Sequence, residues 1–178
     1  MRTMHRILFL FFSLSLIFSC ENQEEEKIEK PINWSKDHST EFGKEIAREE
    51  ERDIKVYLKT RPEWEVEESG TGLRYWIYEE NDGYQVKEGH IISVHFKVSL
   101  LDGTKCYETE EGETSTFMVD KSDVETGVQE AVKYMREGES AKLIVPSHLG
   151  HGLLGDLDKI PPMHPLVIDL HIKRIVNK

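Results

Sequence analysis

Three histidines in one loop are the residues whose types and spacing first suggest chemistry: His148 and His151 in an H-x-x-H spacing, with His164 further along. Imidazoles so placed could ligate zinc or nickel. A structural site, however, wants four ligands at tight spacing, commonly with cysteines among them, and no cysteine lies near this loop. Hydrogen-bonded or solvated loop histidines are the favoured reading, and neither a metal nor any other cofactor is expected. His95 alternates with Val94 and Phe96 and is expected to face outward from a strand. Cys106 also falls in an expected strand, where a buried and inert thiol is the simpler role. The templates of hydrolytic and phosphate chemistry are absent: the sequence contains no G-x-S-x-G, no H-E-x-x-H and no glycine-rich phosphate loop.

The histidine loop is positioned by the two runs that flank it. Ala141, Leu143 and Val145 alternate with Lys142 and Ile144, and Leu166, Ile168, Leu170 and Ile172 alternate with Val167, Asp169, His171 and Lys173, the period of two of a half-buried strand. Between them, Pro146 to Pro165 holds four prolines, three glycines and three histidines, a composition that forbids regular structure and presets many backbone angles. Connections this long inside a compact domain usually carry function or are disordered.

Upstream, Ser39 or Thr40 to Lys59 is rich in helix formers, with a sparse apolar side of Ile46, Ile54, Tyr57 and Leu58, and Thr60-Arg61-Pro62 stops it. Such a helix is expected to pack lightly or to mediate an interaction. Leu73 to Tyr78 is an expected strand, Asn81-Asp82-Gly83 an expected turn, and Ile91 to Leu101 a strand closed by the hairpin signal Leu101-Asp102-Gly103-Thr104. Lys105 to Tyr107 returns as its partner, and Thr116 to Val119 is a further short strand. Val128, Ala131, Val132 and Met135 fall at i, i+3, i+4 and i+7, which predicts an amphipathic helix over Gly127 to Met135. Strands before and after one short central helix, joined by hairpins, indicate an α+β domain in which an antiparallel bent sheet wraps that helix.

At the N-terminus, Arg2 and Arg6 precede an apolar run from Ile7 to Phe18, too short for a bilayer, which needs ~20 residues. Residues 1–19 are therefore expected to be an export signal. Leu16 to Cys20 resembles a bacterial lipobox, which would make Cys20 a lipidated mature N-terminus and its acyl chains the link to a membrane. Loss of residues 1–19 takes away Arg2 and Arg6 and no acid, so the formal charge moves from −11 to −13. That balance argues against nucleic acid or a phosphate-rich surface as partner. With Cys20 acylated, only Cys106 remains and no intramolecular disulfide can form. Residues 20–38 begin with a glutamate cluster and hold little that is apolar, so they are expected to be a flexible acidic tether, either a solvated linker or a sorting signal.

Several fragments occur in an order that carries a resemblance: Gly89 to Phe96 with its V-H-F end, Asp102-Gly103, Phe117-Met118-Val119, Val124 to Val132, Pro146-Ser147-His148-Leu149, Ile160-Pro161-Pro162 and Leu166 to Leu170. Together they resemble the FK506-binding-protein (FKBP) type of peptidyl-prolyl isomerase over roughly Tyr84 to Val176. The combination with a lipoprotein signal and a charged helical stretch is similar to the gliding-motility-associated FKBP lipoproteins of the Bacteroidetes. The resemblance implies a half-barrel sheet around the central helix, an isomerase domain over 84–178 and a helix-plus-strand extension over 39–83.

It further implies a substrate pocket walled by Phe96, Phe117, Val124, Val128, Ile160 and Ile168, with the backbone N–H of Glu125 as a donor. Several family positions are altered: a family aromatic falls on Cys106, the floor tryptophan on Val128 and a wall isoleucine on Glu125, while the family acid falls on Tyr107 and the loop tyrosine on His151, the two residues that would take its orienting, catalytic roles. The implied activity is cis-trans isomerisation of X-Pro bonds in proline-containing clients, assisting the folding of exported proteins at the cell envelope. The alternatives are an FKBP-fold chaperone that binds peptide with little turnover, and a structural lipoprotein whose helix docks a partner. On the family pattern alone, restoring Tyr107→Asp with His151→Tyr is expected to raise turnover about five- to thirtyfold.

Overall fold

The computed structural model describes residues 36–177. The expected signal, Cys20 and the tether up to residue 35 lie outside the described residues. The period-two runs pair into one seven-stranded sheet. Its strands are β1 (Glu67–Glu68), β2 (Arg74–Glu79), β3 (Ile91–Leu100), β4 (Lys105–Glu108), β5 (Ser115–Met118), β6 (Ser140–Val145) and β7 (Leu166–Ile175). The order is β1-β2-β6-β7-β3-β4, β5 also pairs with β3, and every pairing is antiparallel. Strand β3 serves two partners on one edge: Ile91–Val94 pairs with β5 and Lys97–Ser99 with β4. Register shifts at Ser93/Val94, Val98/Ser99 and Ile77/Glu79 bend the strands where they occur, which curves the sheet around its helix.

That helix is shorter than the apolar spacing predicts. The α-helical hydrogen bonding covers only Thr126–Ala131, which follows helix α1 (Lys36–Lys59) as α2, and a 3-10 turn takes over at Val132–Tyr134. Met135 is extended, with φ −100° and ψ 161°. Tightening the last turn still delivers Val128, Ala131, Val132 and Met135 to the core, where all four are buried. Gly127 is needed at the contact with the sheet, because a Cβ there would sit 2.5 Å from Val145 Cγ1.

The expected turn at Asn81-Asp82-Gly83 is not formed. The chain instead runs irregularly past the segment after α2, with Glu137 N–H donating to Tyr84 O and Val86 N–H to Met135 O. Gly83 is required by this close approach, since a Cβ would lie 2.0 Å from Glu137 O.

Helix α1 is already formed at Lys36, the first described residue and ahead of the expected Ser39 or Thr40, and it docks more firmly than its sparse apolar side suggests. Ile54 is 1% exposed, and Glu51 reaches the buried Arg74 of β2 at 2.6 Å. Arg74 is the register partner of Ile144, which pairs in turn with Val167. Ile144 and Val167, on the same sheet face as Arg74, are both buried, and α1 covers this face at Arg74 through Glu51. An aromatic ladder of Tyr57, Trp64, Trp76 and Tyr78, with ring centroids 5.6 to 5.9 Å apart, continues the cover along β2. The extension expected over 39–83 therefore shares the sheet and one compact unit with the residues that follow it.

Candidate active site

Between the concave face of the sheet and α2 lies a cavity of about 330 Å³. Strand alternation builds its floor and walls: Val94, Phe96 and Val98 project from β3, and Ile168 and Leu170 from β7, while Phe117 comes from β5. Val128 closes it from α2, and Val124 and Glu125 from the segment that enters that helix. Polar groups stand among the rest of the lining: Tyr107, Glu108, Ser115 and Glu125. An apolar hollow with a few polar groups is the usual form of a small binding site.

Seven of the nine residues expected at the pocket line this cavity: Phe96, Tyr107, Phe117, Val124, Glu125, Val128 and Ile168. Ile160 does not. It is 2% exposed and belongs to the hydrophobic core, because its backbone is drawn in by the Asp156 side chain. His151 is not in the lining either; its ring stands at the edge, with Nε2 2.9 Å from Glu125 Oε1. Val94, Val98, Glu108, Ser115 and Leu170 join the lining without having been expected there, although the period of two that marks Phe96 and Ile168 also marks Val94, Val98 and Leu170.

Tyr107 does not present a free hydroxyl to the cavity. It donates to Asp156 Oδ2, with Asp158 Oδ2 at 3.3 Å. Asp156 is the hub of the loop: its Oδ1 accepts the N–H groups of Asp158 at 2.9 Å, Lys159 at 3.0 Å and Ile160 at 2.8 Å, while its own N–H donates to Ile160 O. Burial works against this carboxylate's charge, but the Tyr107 hydroxyl and the three backbone donors hold it well below the usual carboxylate range. The bond to Asp156, then desolvation and the two negative charges, push the Tyr107 phenol well above the usual tyrosine range. Tyr107 is thereby a staple between β4 and the loop. The sequence signal for it is Asp156-Leu157-Asp158 after Gly155, a spacing suited to an Asx turn.

The loop histidines go to three different partners: His148 Nε2 lies 3.0 Å from Thr71 O, His151 pairs with Glu125, and His164 Nδ1 lies 2.8 Å from Pro162 O. Among the described residues no group of three or more histidine, cysteine or acidic side chains is arranged to hold a metal ion. The stretch expected to lack regular structure contains one 3-10 turn, Ser147–Leu149. Cys106 is 3% exposed, and burial raises its thiol's pKa. His95 is half-buried, stacked against His171 with centroids 6.1 Å apart.

A larger cleft of about 650 Å³ opens between α1, the β3–β4 hairpin and Pro162–Pro165. Volume does not make it the better candidate for amide chemistry, since three α1 carboxylates and Asp102 share its lining and would favour charge over a desolvated amide.

Comparison with known proteins places the chain in a family. The family model "FKBP-type peptidyl-prolyl cis-trans isomerase" matches residues 83–173. The FKBP-type peptidyl-prolyl cis-trans isomerase FkpA of Buchnera aphidicola (subsp. Schizaphis graminum) is 34% identical over 126 residues, covering 69% of this chain and 49% of that protein. FkpA of Escherichia coli K12 is 31% identical over 130 residues, covering 72% of this chain and 47% of that protein. The crystal structure of E. coli FkpA superposes with a TM-score of 0.64 at 29% identity, over 78% of this chain and 64% of that one. The chain thus spans about half the length of the curated relatives it matches. With the family model covering β3 to β6, most of β7, α2 and every cavity residue, the chain belongs to the FKBP-type peptidyl-prolyl cis-trans isomerase family.

Proposed function

We propose that the cavity catalyses cis-trans isomerisation of X-Pro bonds in polypeptide clients. Amide resonance sets a barrier of ~18–20 kcal/mol to this rotation. The twisted amide has lost resonance and carries less charge on oxygen, so an apolar enclosure favours it over either planar form. The observation that carries the reading is the wall of Phe96, Phe117, Val124, Val128 and Ile168 around about 330 Å³. Glu125 immediately precedes α2, where backbone N–H groups are not consumed by the helix, and its N–H would orient the client carbonyl. Tyr107 and His151 would act as positioning residues, through the loop and through Glu125. The test is turnover of a prolyl tetrapeptide by the full chain. A rate above the uncatalysed one is expected, falling about threefold in Phe117→Leu, which thins the aromatic wall. A parent rate no higher than the uncatalysed one would sink the isomerase reading.

One observation favours the second reading, a peptide-binding chaperone with slow turnover. The hydroxyl and imidazole at the two altered orienting positions are already engaged by Asp156, Asp158 and Glu125. Saturable binding of the tetrapeptide without turnover would select it.

The envelope placement rests on the sequence before residue 21: we infer a lipid on Cys20 and a role with exported, proline-containing clients. No helix among the described residues is long and apolar enough to cross a membrane. Cys20→Ser is expected to move the protein from the membrane to the soluble fraction, because a chain of formal charge −11 offers no net positive charge to replace the acyl chains. Unchanged membrane fractionation of that variant would overturn the anchor.

A further inference from the structure

The cleft against α1 shares no lining residue with the cavity under α2. Glu49, Glu50 and Asp53 line it from the helix and Asp102 from the hairpin tip, against one permanent cation, Arg61. That guanidinium is already committed. It lies 3.5 Å from the centroid of the Tyr57 ring and donates to Tyr57 O and Thr60 Oγ1. None of the three helix acids has an ion-pair partner among the described residues, whereas Glu41 and Glu51 on the same helix do.

Glu50 is the exceptional member. It is 7% exposed, its Oε2 accepts the N–H of Ser147 at 3.1 Å, and its buried Oε1 has no hydrogen-bond partner among the described residues. A buried carboxylate oxygen needs a donor, and a charged donor suits it best. The remaining lining includes apolar groups: Ile46 and the 56% exposed Val56 on the helix, Leu101 and Met163 opposite. Acids without ion-pair partners among the described residues, beside the exposed Val56 and the half-buried Ile46, Leu101 and Met163, complement a ligand that is cationic and apolar at once.

We propose that this cleft is a second polypeptide-binding site, which takes a cationic segment. A lysine or arginine side chain of the bound segment enters beside α1 and donates to Glu50, while its aliphatic neighbours rest on Val56, Leu101 and Met163. The site is independent of proline chemistry and of the isomerase reading.

The experiment uses the full chain and a short fluorescein-labelled, proline-free peptide of alternating lysine and leucine. Fluorescence anisotropy reads affinity, and amide chemical shifts read location. Saturable binding is expected, with shifts concentrated at Val56, Tyr57, Leu101 and Met163. The double variant Glu49→Gln/Asp53→Asn is expected to weaken binding about tenfold, through loss of two charges that no counter-ion offsets. Glu50→Gln keeps an acceptor for Ser147, removes the charge and should weaken binding as much, while Phe117→Leu should leave it unchanged. A peptide with glutamate in place of lysine should not bind. Equal affinity in the double variant and the parent, loss of binding only in Phe117→Leu, or shifts spread away from the cleft would each overturn the proposal. So would the absence of saturable binding.

Discussion

Gly155→Ala is expected to melt about 5–15 °C below the parent and to lose prolyl turnover by about ten- to a hundredfold. Gly155 has φ +67°, a conformation that costs an alanine about 1–2 kcal/mol. Space is the larger problem. A Cβ would stand 2.1 Å from Ile160 O and 2.8 Å from Pro161 C, so backbone must move. The displaced carbonyl accepts the N–H of Asp156, whose side chain gathers the Asp158, Lys159 and Ile160 N–H groups and the Tyr107 hydroxyl. Shifting it loosens the whole loop and pulls on Ile160, a core residue, for a total of about 3 kcal/mol. Gly152→Ala is the control. Its φ is +60° and nothing lies within 4 Å of the added carbon, so only backbone strain applies and a drop of about 2–4 °C is expected. Equal losses in melting temperature and turnover for the two variants would show that the collision with Ile160 is not what matters.

The features legible in the sequence are those that local pattern controls. The period of two locates β3, β6 and β7, and the hairpin at Asp102-Gly103 closes as its signal implies, with Gly103 at φ +91°. The same pattern puts Ile144 and Val167 on the face opposite Leu143 and Ile168 without foretelling their burial, because alternation states which residues share a face and not whether a distant helix covers the other one. Glu51 meeting Arg74 and the burial of Ile54 reveal that cover, across sequence separations no short window spans. In the site, the apolar wall residues on strands are legible, since strand faces converge by construction. The polar positions are legible as types but not as partners. Against the family pattern, Tyr107 stands as a substitute for an acid, whereas Asp156, in a stretch that the pattern leaves variable, is the acid that Tyr107 serves.

That partnership reverses the expectation for the family-restoring change: Tyr107→Asp with His151→Tyr should lower turnover about tenfold instead of raising it. An aspartate at position 107 has no proton to donate, and its carboxylate would face those of Asp156 and Asp158, the two acids that now surround the Tyr107 hydroxyl. Like charges at such range repel, and the relief open to the loop is to leave β4. The histidine half of the change is milder, because a tyrosine hydroxyl at position 151 can still donate to Glu125, which now sits 2.9 Å from His151 Nε2. The single variants should therefore rank in a fixed order: His151→Tyr near the parent, Tyr107→Phe below it for loss of the donor, and Tyr107→Asp lowest for loss of the donor plus added charge. Salt separates the last two. Raising ionic strength from about 0.1 to about 1 M cuts the screening length from about 10 to about 3 Å, so it should recover part of the loss in Tyr107→Asp and none of that in Tyr107→Phe. Turnover that rises in the double variant, or a Tyr107→Phe variant that matches the parent, would show that the bond to Asp156 does not hold the loop over the site.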